Sequence, residues 1–129
     1  MNVLLDTHAV IWFITEDNHL PIRTKGLIED TTNTCFVSIA SLWELGIKHS
    51  LGKLELITDI KKLFELIEQS GLTILPITAS HILANTILPF HHRDPFDRLI
   101  IAQAKSEGLK LISKDRQLNV YEIDMIWNE

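Results

Sequence analysis

Asp94-Pro95-Phe96-Asp97-Arg98-Leu99-Ile100-Ile101-Ala102, running on to Gly108 and then to Leu111-Ile112-Ser113-Lys114-Asp115, is the stretch whose reading decides the fold. Asp94 fits an N-cap position and Pro95 the first helical turn, where its missing N–H costs nothing. Gly108 is a stop signal, so the spacing predicts a helix from about residue 95 to 107. Leu111-Ile112 then reads as a short, wholly apolar strand, as a buried parallel strand would be. An acid, Asp115, follows it almost at once. Helix, strand and acid in that order make one half of an α/β unit with a carboxylate at the strand's end.

The same signature opens the chain. Val3-Leu4-Leu5 is an apolar run that ends at Asp6, and Thr7 to Ile14 carries Ala9, Val10, Trp12 and Phe13 at helical spacing. Pro21 suits the first turn of a second helix, running to about Asp30. Thr34 to Val37 is rich in β-formers. Ser38 or Ser41 could cap the next helix, Ser41-x-x-Glu44 matching a capping box, and that helix should end near Gly52. Asp59 to Gln69 has a fourth helical pattern with Gly71 as its stop. Leu72 to Ile77 reads as a strand weakened at Pro76, Thr78 to Ile87 as a helix, and Phe90 to Pro95 as a loop. Val120 to Ile126 could supply a last strand. Strands alternating with helices predict a parallel sheet covered on both faces. With no repeat, linker or low-complexity tract, residues 1–129 read as a single domain.

Composition excludes several classes. Of the 129 residues, 46% are hydrophobic and 22% charged, a globular balance. A net charge of −5 argues against a protein whose main device is a basic surface. The single cysteine, Cys35, can form no internal disulfide and reads as a buried thiol, which fits a reducing compartment. No signal peptide and no membrane-length apolar run is visible, so the expectation is a soluble, cytoplasmic protein. No Gly-rich phosphate loop and no G-x-S-x-G elbow occurs.

What remains is acid chemistry. Asp6, Glu44, Asp97 and Asp115 all sit beside strongly apolar segments. Ligands of a parallel sheet bind beyond the carboxyl ends of its strands. Asp6 and Asp115 follow strands, the helix with Glu44 starts after another, and Asp97 lies in the first turn of its helix. Gathered carboxylates repel one another unless protons or a divalent cation neutralise them. Hard oxygen donors suit Mg²⁺ or Mn²⁺, and phosphodiester hydrolysis is the natural reaction. Each acid also has a plain reading: Asp6 as an N-cap, Glu44 paired with Lys48, Asp97 as a first-turn acid, Asp115 as a turn residue. Those readings do not explain the convergence. His91 and His92 read as a solvated loop pair and His8 as an ordinary helix-start residue, while Trp12 and Trp43 read as core. Arg98, Lys48, Lys114 and Arg116 could contact phosphate, with solvated surface charge the default for any one of them.

These residues resemble PIN-domain ribonucleases, in particular the VapC-type toxins of bacterial toxin–antitoxin pairs. The matching pieces are Leu4-Leu5-Asp6-Thr7-His8, Ser38-x-x-Ser41-x-Trp43-Glu44-Leu45 with Lys48, the Asp94 to Ala102 stretch, and Leu111 to Asp115. They follow the family's order and span nearly the whole chain. The resemblance implies a three-layer α/β/α fold with a mainly parallel sheet. It implies an Mg²⁺ or Mn²⁺ site at Asp6, Glu44, Asp97 and Asp115, with Ser113 as the hydroxyl residue before the last acid. It also implies an RNA substrate, a homodimer and a small antitoxin partner. Ile14, Leu20 and Leu51 offer walls for that partner. Asp94 competes with Asp97, which is favoured because it directly precedes Leu-Ile-Ile-Ala. Two other readings are weaker. A dehalogenase-like phosphatase wants an acid two residues after Asp6, where His8 stands. A non-catalytic receiver-like or degenerate PIN module would lack part of the acid set, or need an aspartate after Leu72–Ile77 that is absent.

Overall fold

The computed structural model describes residues 1–55, 59–91 and 94–129. His92, one half of the expected loop pair, lies outside them. Five short strands form one sheet: β1 (Asn2–Leu5), β2 (Thr34–Ser38), β3 (Thr73–Leu75), β4 (Lys110–Ile112) and β5 (Met125–Ile126). Their order is β3-β2-β1-β4-β5 and every pairing is parallel. Helices fill the crossovers: α1 (Thr7–Ile14) and α2 (Ile22–Glu29) after β1, α3 (Ile39–Ser50) and α4 (Ile60–Gln69) after β2, α5 (Ala79–Thr86) and α6 (Pro95–Glu107) after β3.

The apolar β1 run is central because it is buried on both sides. Val3 and Leu5 point into one core with Ala9, Val10, Leu45, Leu63 and Ile67, from α1, α3 and α4. Leu4 points into the other, with Ile100, Ile101, Ala104 and Leu111. Alternate residues of a strand face opposite ways, so one strand serves two layers of helix. This is the expected α/β/α sandwich.

The helix boundaries follow their caps. Asp6, Ser38, Asp59 and Asp94 each accept from a backbone N–H two or three residues on. Gly108 ends α6 at φ 65°, a left-handed conformation that glycine takes without Cβ strain. Of the two cap candidates for α3, Ser38 is the cap, and the Ser41 hydroxyl turns inward. Two expectations need correction. The third strand is confined to Thr73–Leu75. Most of the stretch expected as a last strand belongs to a 3-10 helix, Arg116–Tyr121, and to the turn after it, so β5 is only Met125–Ile126.

Candidate active site

The sheet order locates a crevice. The connection after β1 leaves toward β2, while the one after β4 leaves toward β5, so the chain diverges at the carboxyl ends of β1 and β4. Ligands of open α/β sheets bind at such a switch point. Leu5 pairs with Ile112 at this edge, and the Asp6 N–H donates to the Ile112 carbonyl at 3.0 Å. Asp6 and the Ser113–Asp115 turn therefore meet across the crevice.

Asp6 does two jobs. One carboxyl oxygen caps α1 by accepting from the Ala9 N–H at 2.8 Å. Burial pushes its carboxyl above the ordinary aspartate range; nearby Asp115 pushes the same way, while bonds from Ser113 and Ala9 and the charge of His8 pull it down. Ser113 is itself buried, and its hydroxyl oxygen accepts the Asp115 N–H at 3.1 Å. It joins both acids.

Glu44 reaches the same region from α3. It is buried, and its Oε1 accepts from the Thr7 hydroxyl at 2.8 Å. The Thr7 oxygen is also 2.9 Å from Ser41 Oγ. Thr7 has one hydroxyl proton and the carboxylate only accepts, so Ser41 is the donor in the second contact. Lys48 Nζ lies 2.8 Å from Glu44 Oε2, the i,i+4 pair that the plain reading anticipated. Thr7 and Ser41 were missed as site residues. Their signals were present: Thr7 adjoins Asp6, and Ser41 precedes Glu44 by one helical turn.

Asp97 stands partly buried in the first turn of α6, its N–H donating to Asp94 Oδ1 at 3.2 Å. Asp94 accepts from Phe96 as well, which is the capping role expected for it. Phe96 meets Trp43 edge-on with ring centroids 5.3 Å apart. That contact holds the residue before Asp97 against the residue before Glu44, tying the acid-bearing turns of α3 and α6 together. Trp43 is otherwise 59% exposed and is not core. Arg98 is no phosphate contact: it is 5% exposed, and its guanidinium donates to the carbonyls of Asn85, Leu88 and Pro89 while lying over the Phe90 ring. Lys114 and Arg116 remain exposed, and so does His91, whose ring touches Tyr121.

The donor chemistry of this edge fits a hard divalent cation: oxygen ligands only, with one buried carboxylate held beside another acid. Among the described residues no three His, Cys, Asp or Glu side chains form a group that could hold a metal ion as they stand. Lys48 places a positive charge at Glu44.

Comparison with known proteins agrees with this geometry. The PIN domain family model matches residues 3–123. Ribonuclease VapC22 of Mycobacterium tuberculosis is 30% identical over 120 residues, covering 90% of this chain and 88% of that protein. The fold is similar to VapBC2 from Rickettsia felis bound to a promoter DNA fragment, with a TM-score of 0.74 at 17% identity over 99% of this chain and 100% of that one. It is also similar to DNA-bound VapBC from Salmonella typhimurium, with a TM-score of 0.71 at 20% identity over 98% and 97% of the two chains. The parallel sheet, the acids at its switch point and the matched sequence lead to one assignment: the chain belongs to the PIN-domain family.

Proposed function

We propose that this chain is a metal-dependent endoribonuclease and the toxin of a toxin–antitoxin pair, with residues 1–129 forming its single nuclease domain. The observation that carries the reading is the placement of Asp6 against Ser113 and Asp115 at the crevice between β1 and β4, with Glu44 joined to it through Thr7. The likeness to a ribonuclease of the same family supports RNA as substrate. The likeness in fold to toxin–antitoxin complexes supports a small antitoxin as partner.

Asp6, Glu44, Asp97 and Asp115 would hold Mg²⁺ or Mn²⁺. When bound, such an ion lowers the pKa of a water and offsets charge on the phosphate under attack. The chain's own residues do the rest. Thr7 and Ser41 fix the Glu44 carboxylate, Ser113 fixes Asp6, and the Trp43–Phe96 contact sets the start of α6 beside α3. Lys48 pairs with Glu44 and so limits repulsion among the acids. An antitoxin Arg or Lys entering the same crevice would act similarly and block substrate. A homodimer is part of the proposal. The cytoplasm is its expected compartment. Among the described residues no helix is long and apolar enough to cross a membrane.

The test is RNA cleavage by the purified chain in Mg²⁺ or Mn²⁺, repeated after exhaustive chelation. Cleavage that stops in chelator and returns with either ion is expected. Cleavage that continues with metal shown to be negligible contradicts the mechanism. Growth arrest on expression, relieved by the product of the neighbouring gene, is the expected sign of the toxin role.

A further inference from the structure

A cleft of about 670 Å³ opens beside the acids. Its lining includes Thr7 and Lys48, the two direct partners of Glu44, and continues outward through His8, Trp12 and Lys53. Trp12 was expected in the core; it is partly buried and packs against the core, and part of its surface forms the cleft wall. The indole is braced by two further rings. His19 stacks on it at 5.2 Å with the planes 20° apart, and Trp127 meets it at 6.0 Å. His19 is in turn fixed by Asp17, which accepts from the His19 backbone N–H at 2.9 Å and contacts its Nδ1 at 2.6 Å. On the cleft side the exposed His8 ring lies 5.5 Å from the indole. Asp17, Glu55 and the apolar Ile11, Leu45 and Leu54 line the cleft as well. Planar rings fixed by other rings, with ammonium groups beside them, are the elements from which a single-stranded nucleic-acid platform is built.

We infer that His8 and Trp12 form a base-binding subsite, on which an unpaired nucleobase of the substrate stacks next to the phosphate being cleaved. This rests on the nuclease reading and deepens it. The continuity of the lining favours a nucleotide over a protein segment. The cleft begins at the residue after Asp6, so a strand whose phosphate lies at the acids must place its neighbouring nucleotide beside Thr7 and Lys48. Stacking uses the face that every base has, so this subsite selects unpaired over paired RNA rather than one base over another. Lys53 would meet the next phosphate outward.

The probe is a short single-stranded oligoribonucleotide with hydrolysis-resistant phosphorothioate linkages, alongside an abasic oligomer of equal length and charge. Each is titrated against the whole chain in Mg²⁺ and followed by indole fluorescence. The wild type should bind the base-bearing oligomer about tenfold more tightly than the abasic one, with quenching. Trp12→Leu should bind both at the abasic level, and His8→Ala should lose part of the preference. Equal binding of both oligomers by the wild type, or no binding of either, overturns the inference. So does an unchanged preference in a folded Trp12→Leu protein. If Trp12→Leu melts early, His8→Ala decides, because His8 is exposed and supports no core. Variants that release a co-expressed antitoxin while keeping the full base preference assign the cleft to the protein partner instead. Cleavage of ordinary RNA by the same samples shows whether the nuclease reading stands when the subsite fails.

Discussion

Asp6 and Glu44 show how two carboxylates in one crevice differ in what they do for stability. Asp6 is raised above the ordinary aspartate range by burial, so the folded chain holds its proton more tightly than the unfolded chain does. Its contribution to stability is therefore most favourable at low pH and declines as pH rises from the ordinary aspartate range through the raised folded value. Asparagine caps a helix about as well as aspartate. Asp6→Asn should thus raise the melting temperature of the metal-free protein at neutral pH, with the gain vanishing in acid. Glu44 is held by contacts instead: its carboxylate accepts from the Thr7 hydroxyl and pairs with Lys48. Glu44→Gln should lower metal-free stability by about 1 kcal/mol, a modest figure because the Lys48 end is partly exposed. Thermal melts of the two variants across pH check both signs. The acids drew attention in the sequence because carboxylates beside apolar runs are rare. The Thr7 and Ser41 hydroxyls were not, since a polar residue at a helix start has many bland explanations. Arg98 was misread for a related reason: nothing local shows that a helical arginine will turn inward to three backbone carbonyls.

Among the elements, the caps were the most readable feature and the short 3-10 segment the least. Asp59, Asp94 and Gly108 sit at the boundaries that their residue types predict. Leu118 and Tyr121 are both buried and three residues apart, one turn of a 3-10 helix, whereas the apolar content of 120–126 had suggested a strand. Leu20 was expected as an exposed wall but is 4% exposed, anchoring the connection between α1 and α2 in the core. Leu51 is exposed at 62%, as a wall residue should be. Two changes test the start of α6. Asp94→Ala removes the cap and should cost about 1 kcal/mol. Arg98→Met orphans the carbonyls of Asn85, Leu88 and Pro89 and should cost about 3 kcal/mol, most of it absent from any reading of Arg98 as a surface group. Denaturant unfolding measures both. A near-zero effect of Arg98→Met would return that side chain to the surface.

For the whole molecule, alternation of strand and helix was enough to foresee a parallel sheet between helical layers. It did not give the order β3-β2-β1-β4-β5, because apolar runs of three or four residues do not say which neighbour they pair with. That order is what creates the crevice: with β1 between β2 and β4, the connections part where Asp6 and Asp115 stand. Hydrolysis of RNA by the carboxylates of this crevice is tested by RNA cleavage in Mg²⁺ with Asp6→Asn protein beside the wild type, with thermal melts on the same samples. The variant should lose cleavage at least about a hundredfold, the order of a group acting on the transition state, while melting no lower than the wild type without metal. Cleavage within a fewfold of wild type by a folded Asp6→Asn protein would contradict that role of the carboxylates.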